Sequence, residues 1–174
     1  MSKIILIGFM GSGKTTVGKL LSESLKQKFI DTDNEILELS AELSVPDIFE
    51  KHGEHEFRRL ETAVAEKISG LSDDLVVATG GGMIINQKNQ SYLRINSKII
   101  LLDTNFENIQ KRVEAEMQEK SMTRPLFSDI EQARTLFETR APVYQSVCDI
   151  KVSTNDKSPQ QITQEIIATL QNTK

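Results

Sequence analysis

The chain has few of the features that mark disulfide-rich, membrane or nucleic-acid-binding proteins. Its 174 residues include one cysteine, so no intrachain disulfide can form and a reducing cytoplasm fits. The net charge of -4 comes without a block of lysine or arginine, which argues against nucleic acid as a partner. The apolar start at Ile4 is interrupted by Gly8, too soon for a signal core or a membrane span. We expect a soluble, cytoplasmic monomer with no membrane partner.

Cysteine and histidine are also too scarce to form a metal centre of their own. Cys148 is expected to pack as a small buried hydrophobe. His52 and His55 lie three residues apart without a third ligand, which makes a poor metal site. Both histidines are therefore expected on a helix surface.

One run carries a specific signal. Residues 8–15 read Gly-Phe-Met-Gly-Ser-Gly-Lys-Thr and match the phosphate-binding loop G-x-x-x-x-G-K-[ST], between an apolar strand pattern and a helical one. Glycine admits backbone conformations closed to other residues, so successive N–H groups can converge on phosphates. Lys14 adds a positive charge, and Thr15 offers the hydroxyl that normally holds Mg²⁺. The residues predicted to contact the nucleotide are Gly11, Ser12, Gly13, Lys14, Thr15 and Thr16.

The rest of the chain alternates short apolar runs with longer helical patterns. Strands are expected at 4–7, 29–30, 75–78, 99–102 and 150–152. This alternation predicts a single α/β domain over residues 1–174, with a five-stranded parallel sheet covered by helices on both faces. Ligands bind beyond the carboxyl ends of such strands, and polar or glycine-rich segments follow the first three. The sequence therefore predicts one site at that edge of the sheet.

Two segments look like additions to this core. Residues 34–70 read as helices with a turn around 44–46, long enough to form a lobe over the site. Residues 113–128 are polar, with few expected core positions, which suggests a mobile flap. An amphipathic helix is predicted from Pro159 onward.

Several further motifs follow the glycine loop in order. They are Asp31-Thr32-Asp33, Gly53-Glu54 with Phe57-Arg58, Gly80-Gly81-Gly82, Arg124-Pro125-Leu126 and Arg140-Ala141-Pro142-Val143-Tyr144. Together they resemble the shikimate kinase family through almost the whole chain. The resemblance implies a P-loop fold akin to the nucleoside monophosphate kinases, with a substrate-binding lobe at about 34–70 and a lid at about 113–128. It also implies Mg²⁺-dependent transfer of the γ-phosphoryl of ATP to the 3-hydroxyl of shikimate, a step toward chorismate and the aromatic amino acids.

The resemblance gives each polar residue a role. It places Asp31, with Thr15, at the metal, and Asp33 on the acceptor hydroxyls, either as a base or only to position them. It places Arg58 and Arg140 on the shikimate carboxylate, which a guanidinium can bind through two parallel hydrogen bonds.

The glycines and the lid complete the expected site. By the same resemblance, Gly80, Gly81 and Gly82 line the acceptor, and Arg124 swings onto the phosphates to stabilise charge in transit. The catalytic residues are then Lys14, Asp33 and Arg124. Glu61 either orients Arg58 or forms a plain i, i+3 helix pair with it.

The chain departs from the family pattern at the adenine contact. Met117 stands where an arginine is common, seven residues ahead of the lid arginine. Arg112 from another position, or the thioether of Met117, are the two candidates to replace it. A loop at 155–159 is the other expected adenine contact.

Two other functions would use parts of the same pattern. One is a kinase for a different polyhydroxylated acid such as gluconate, which the paired arginines and the triple glycine argue against. The other is a nucleotide-binding regulatory module without turnover, which the intact catalytic and metal-binding residues argue against.

Overall fold

Five parallel strands form the centre of the molecule. In the computed structural model, which describes residues 3–120 and 125–172, these are β1 Lys3–Ile7, β2 Lys28–Asp31, β3 Leu75–Ala78, β4 Ser97–Asp103 and β5 Ile150–Ser153. They pair in the order β2-β3-β1-β4-β5, all in parallel. The predicted five-stranded parallel sheet is confirmed.

Helices connect the strands. In the described part of the chain they are α1 Lys14–Leu25, α2 Thr32–Ser40, α3 Val45–Gly70, α4 Gln87–Leu93, α5 Phe106–Lys120, α6 Ile130–Val147 and α7 Pro159–Asn172. Short 3₁₀ helices lie at Met83–Ile85 and Pro125–Ser128. None of the described helices has both the length and the hydropathy to cross a membrane.

Both faces of the sheet are covered, as the sequence predicts. Along β1, Ile4 and Leu6 point to one face and pack in a cluster with residues of α1 and α7. Ile5 and Ile7 point to the other face, in a larger cluster with residues of α3, α5 and α6. Burial on both faces explains why β1 reads as a continuous apolar run. Cys148 is partly buried against the larger cluster.

The strand order brings three chemically active segments together. Since β3 lies between β1 and β2, the segments that follow these strands leave the sheet side by side at its carboxyl edge. They are the glycine loop at 8–13, the start of α2 at Asp31–Asp33 and the turn at Gly80–Gly82. The predicted convergence on one edge is confirmed.

The segment after β2 consists of two helices and a bend. Ser44 accepts a hydrogen bond from the Asp47 N–H at 3.3 Å and caps α3, close to the predicted turn. Within α3, Gly53 adopts φ 81° and ψ 171°, a conformation essentially restricted to glycine. The helix therefore changes direction one turn before Arg58.

The segment predicted as a flap is partly regular. Residues 113–120 continue α5 as regular helix, and Val113 is the one buried side chain described among them, in line with the expectation of few core positions. Phe127 is also buried, in the 3₁₀ helix that follows. Arg124, the predicted lid arginine, lies outside the described residues.

Candidate active site

The glycine loop curves around the ammonium group of Lys14. Gly11 and Gly13 have φ of 76° and 94°, which residues with a Cβ rarely adopt. The Lys14 Nζ donates to the carbonyls of Gly8 at 2.9 Å and Phe9 at 2.8 Å, and the side chain is nearly buried. The loop thus holds a full positive charge in a fixed position.

Thr15 and Asp31 form a pair of oxygen ligands beside the loop. The Thr15 hydroxyl donates to Asp31 Oδ2 at 2.8 Å. The other carboxylate oxygen of Asp31 accepts from the Asp33 N–H at 3.1 Å and caps α2. Hydroxyl and carboxylate oxygens are the donors that Mg²⁺ prefers, so this pair fits a magnesium ion.

A cavity of about 360 Å³, here called the loop cavity, opens above these residues. Of the predicted nucleotide contacts, the lining includes Gly11, Gly13, Lys14, Thr15 and Thr16. Ser12 is not among the lining residues, because its side chain is fully buried beneath the loop. The cavity is large enough, and suitably charged, for the phosphates of a nucleotide.

A second cavity of about 230 Å³, here called the arginine cavity, adjoins the first. Every residue predicted to bind the acceptor lines it: Asp33, Arg58, Gly80, Gly81, Gly82 and Arg140. Asp33, Gly80 and Gly81 line both cavities. Asp33 therefore lies at the boundary between the loop cavity, which suits phosphates, and the arginine cavity, whose two guanidinium groups suit a carboxylate.

Two residues of the triple glycine leave space for functional side chains. The glycines with positive φ in the described chain are others, so backbone conformation is not the reason here. A Cβ on Gly80 would lie 2.5 Å from Asp33 Oδ1, and a Cβ on Gly82 would lie 2.6 Å from Arg58 Nη1. The sequence suggested close approach of a ligand, whereas these two glycines make room for the functional side chains themselves.

Arg58 is held by two carboxylates on its own helix. Nη1 donates to Glu61 Oε2 at 2.7 Å, while Nε and Nη2 donate to Glu54 Oε1 at 3.2 and 3.1 Å. Desolvation lowers the pKa of Arg58, but the two carboxylates together outweigh it and the pKa is raised. Glu61 is buried, with 1% of its surface exposed, and this burial raises its pKa although Arg58 opposes the rise. Glu61 is thus more than a surface helix pair, because it supports Arg58 from the wall of the arginine cavity.

Sequence reasoning missed a contribution from Tyr144. Its hydroxyl donates to the Gly81 carbonyl at 2.6 Å, and the side chain is 2% exposed. Burial raises the pKa of the phenol to about 12, which Arg140 partly opposes. The sequence does contain one indication that Tyr144 belongs to the site: it lies one helical turn after Arg140, within the same motif.

The two candidates for the adenine contact behave differently. Arg112 lines the loop cavity and donates to the carbonyls of Ser12 at 3.4 Å and Thr154 at 2.8 Å. Met117 packs against the larger hydrophobic cluster. Pro159, from the predicted adenine loop, lines an open cavity beside Thr16. Arg112 is therefore the candidate that faces the loop cavity.

His52 has a surface role, as the sequence predicts. Its ring lies 2.9 Å from Glu42 Oε1, and the side chain is about half exposed.

The fold and the two joined cavities define a P-loop kinase that acts on a small acceptor. A family model described as shikimate kinase matches residues 10–171. The chain belongs to the shikimate kinase family.

Individual relatives agree with this family over nearly their full length. The shikimate kinase of Caldanaerobacter subterraneus is 43% identical over 170 residues, which cover 96% of this chain and 95% of the relative. That of Lactococcus lactis subsp. cremoris is 41% identical over 163 residues, 94% of each chain.

Solved structures agree as well. Shikimate kinase from Acinetobacter baumannii, in complex with shikimate, has a TM-score of 0.89 at 33% identity and covers 100% of this chain and 95% of its own. Shikimate kinase from Aquifex aeolicus has a TM-score of 0.80 at 37% identity, with 98% and 97% covered. The likeness therefore extends through both cavities.

Proposed function

We propose that this chain transfers the γ-phosphoryl group of ATP to the 3-hydroxyl of shikimate, giving shikimate 3-phosphate and ADP. The observation that carries the proposal is the junction of the two cavities at Asp33, Gly80 and Gly81. Phosphoryl transfer needs an acceptor oxygen in line with the γ-phosphorus, and joined sites for the two reactants supply that alignment. The product belongs to the route toward chorismate and the aromatic amino acids.

On the nucleotide side, the glycine loop and Lys14 bind the phosphates. The loop carbonyls hold the ammonium group at the wall of the loop cavity, where its charge can stabilise the negative charge of the phosphates. Thr15 and Asp31 are the residues that would hold Mg²⁺. A bound Mg²⁺ would supply positive charge to offset that of the nucleotide phosphates.

On the acceptor side, Arg58 and Arg140 bind the carboxylate of shikimate, and Asp33 binds its hydroxyls. The 3-hydroxyl oxygen forms the new bond to the γ-phosphorus, and the bond between that phosphorus and the bridging oxygen of ADP breaks. Asp33 orients the hydroxyl and is placed to accept its proton. Because the transition state is loose, we assign more of the effect to orientation than to proton removal.

The proposal extends to the parts of the molecule around the site. Residues 34–70 act as the substrate-binding lobe and residues 113–128 as the lid of one domain, and Arg124 stabilises the phosphates when the lid closes. We propose that the enzyme acts as a monomer. A single cysteine suits a reducing compartment, so we propose a cytoplasmic enzyme with no nucleic-acid or membrane partner.

A coupled ADP-release assay with shikimate, quinate and gluconate tests the reaction. We expect turnover of shikimate with a kcat/KM well above that of the other two acids. Preferred turnover of gluconate would show that the chain is a kinase but that its acceptor is not shikimate. Nucleotide binding without release of ADP in the presence of any acceptor would instead indicate the regulatory module.

A further inference from the structure

The phenol of Tyr144 joins two parts of the arginine cavity that come from distant segments. Its hydroxyl donates to the Gly81 carbonyl across a separation of 63 residues. One turn earlier on α6, Arg140 lines the same cavity, and its positive charge opposes the rise in the pKa of the phenol. Tyr144 thus bonds to the glycine turn and lies one helical turn from a cation of the acceptor site.

The bond to Gly81 fixes more than one carbonyl. In a trans peptide the C=O and the following N–H point to opposite edges of the plane, so holding the Gly81 carbonyl also sets the direction of the Gly82 N–H. Glycine has no side chain to restrict its backbone, and the turn is closed by one backbone bond, from the Met83 N–H to the Gly80 carbonyl at 3.2 Å. The Tyr144 hydroxyl adds a second restraint on the central peptide, from outside the turn.

The neighbouring residues of the turn are restrained by other groups. The Gly80 N–H donates to the Thr32 hydroxyl at 2.8 Å. The Met83 carbonyl accepts from Asn89 Nδ2 at 2.9 Å. The Tyr144 hydroxyl bonds to the peptide between these two positions, Gly81–Gly82, which lines the proposed acceptor site.

We propose that Tyr144 is a positioning residue for acceptor binding, whose hydroxyl holds the Gly81–Gly82 peptide in one arrangement beside Arg140. This inference rests on the proposed function. The buried phenol stays protonated well above neutral pH and remains a donor throughout the range of ordinary assays. The alternative is that Tyr144 only fills the hydrophobic core, to which its ring also belongs.

Tyr144→Phe separates the two roles, since it keeps the ring and removes the hydroxyl. Tyr92→Phe is the matched control, because Tyr92 is the other tyrosine of the chain and lies on α4 outside both cavities. We expect Tyr144→Phe to raise KM for shikimate about tenfold, as for the loss of one or two hydrogen bonds. KM for ATP and kcat should change by less than about threefold, since the contact is made equally in ground and transition states. An unchanged KM for shikimate, with a lowered unfolding temperature, would show that the residue is structural only.

Two further measurements tie the effect to the proposed contacts. In an Arg140→Met background, Tyr144→Phe should raise KM by a smaller factor than in the parent, because the two side chains share one task. Equal factors in both backgrounds would overturn the link to Arg140.

Amide hydrogen exchange at Met83, whose N–H donates to the Gly80 carbonyl and closes the turn, gives a readout that does not depend on turnover. Exchange should be faster in Tyr144→Phe and unchanged in Tyr92→Phe, and an unchanged rate in both variants would overturn the restraint on the turn. If the parent neither binds nor phosphorylates shikimate, the proposed function fails, while Met83 exchange still decides whether Tyr144 holds the turn.

Discussion

Lys14 is a full positive charge in a nearly buried position. Moving an ammonium group out of water is costly unless polar groups replace the water. Here the carbonyls of Gly8 and Phe9 do so, at 2.9 and 2.8 Å. The same carbonyls keep the charge beside the loop cavity, which Lys14 lines.

Removal of that charge should abolish turnover. We expect Lys14→Ala to lower kcat by about 100-fold or more, since a preorganised charge in a partly desolvated site stabilises the transition state by several kcal/mol. Steady-state kinetics with ATP and shikimate measure the effect, and circular dichroism checks the fold. Lys28→Ala, at an exposed position on β2, is the control. Activity of Lys14→Ala within about threefold of the parent would remove Lys14 from catalysis.

The buried carboxylate of Glu61 supports Arg58, but its burial lowers the stability of the folded protein at neutral pH. Its carboxylate is buried beside Arg58, and desolvation raises its pKa. A raised carboxyl pKa means that the folded state binds the proton more tightly than the unfolded state. The associated stability is therefore present at low pH and is lost as the pH rises through the folded pKa.

Glu61→Gln should reveal this loss, because the amide does not titrate. We expect the free energy of unfolding of Glu61→Gln, relative to the parent, to increase between about pH 4 and about pH 8. Urea unfolding at several pH values measures the difference. Glu56→Gln is an opposite-sign control on the same helix, since hydrogen bonding to Arg59 lowers the pKa of Glu56. A relative stability of Glu61→Gln that falls with pH would contradict the buried, desolvated carboxylate.

Helix α3 shows what a single glycine does to an element. The sequence motif that contains Gly53 is recognisable, but the flanking residues read as continuous helix, so the bend was not predicted. Its φ of 81° places Phe57 and Arg58 on a segment that leaves Gly53 in a new direction. The direction of α3 after Gly53 thus helps to set where Arg58 meets the arginine cavity.

Gly53→Ala and Gly70→Ala form a matched pair that tests the bend. Both glycines lie on α3 and have open space for a Cβ, but only Gly53 has positive φ. We expect Gly53→Ala to lower the free energy of unfolding by about 1 to 3 kcal/mol and to raise KM for shikimate. Gly70→Ala should be neutral or stabilising by about 0.5 kcal/mol. Urea unfolding and kinetics decide it, and equal effects of the two substitutions would mean that the backbone at Gly53 is not strained by a Cβ.

Helix α5 shows that the burial of a single side chain can depend on tertiary contacts. Residues 113–120 are mostly polar, and Val113 is the one buried side chain described among them. Its burial depends on a distant segment, since a Cβ on Gly11 would lie 2.9 Å from Val113 Cγ2. The glycine loop itself covers this part of the helix, and no local pattern encodes that contact.

At the scale of the whole molecule, topology was more predictable than contacts. Apolar runs and motif positions sufficed for five parallel strands and for one site at their carboxyl edge, because both follow from local pattern and general rules. The bonds from Tyr144 to Gly81 and from Arg112 to Ser12 join residues 63 and 100 positions apart. Such pairs depend on how helices pack on the sheet, which no sequence period specifies.

The arginine cavity is formed by the packing of helices from distant parts of the chain. Arg58 comes from α3 and Arg140 from α6, and the turn after β3 lies with them in the lining. If both guanidinium groups hold one carboxylate, the parent should prefer shikimate over shikimamide by about 2 to 5 kcal/mol, as for hydrogen-bonded charge pairs in a partly buried site. The preference for shikimate over shikimamide then depends on how α3 and α6 bring the two arginines together, and neither residue produces it alone.

A mutant cycle on the two arginines tests this preference. Arg58→Met and Arg140→Met should each reduce the preference for the acid over the amide, and the losses should be non-additive because the side chains share a partner. Lysine should restore it only in part, since it keeps the charge but not the bidentate geometry. Arg59→Met is the matched control, because Arg59 is exposed and pairs with Glu56. Values of kcat/KM for both acceptors on the parent, the single variants and the double variant complete the cycle. An arginine whose replacement leaves the full preference intact does not touch the carboxylate, and a cavity with only one such contact would no longer favour shikimate over other hydroxylated acids.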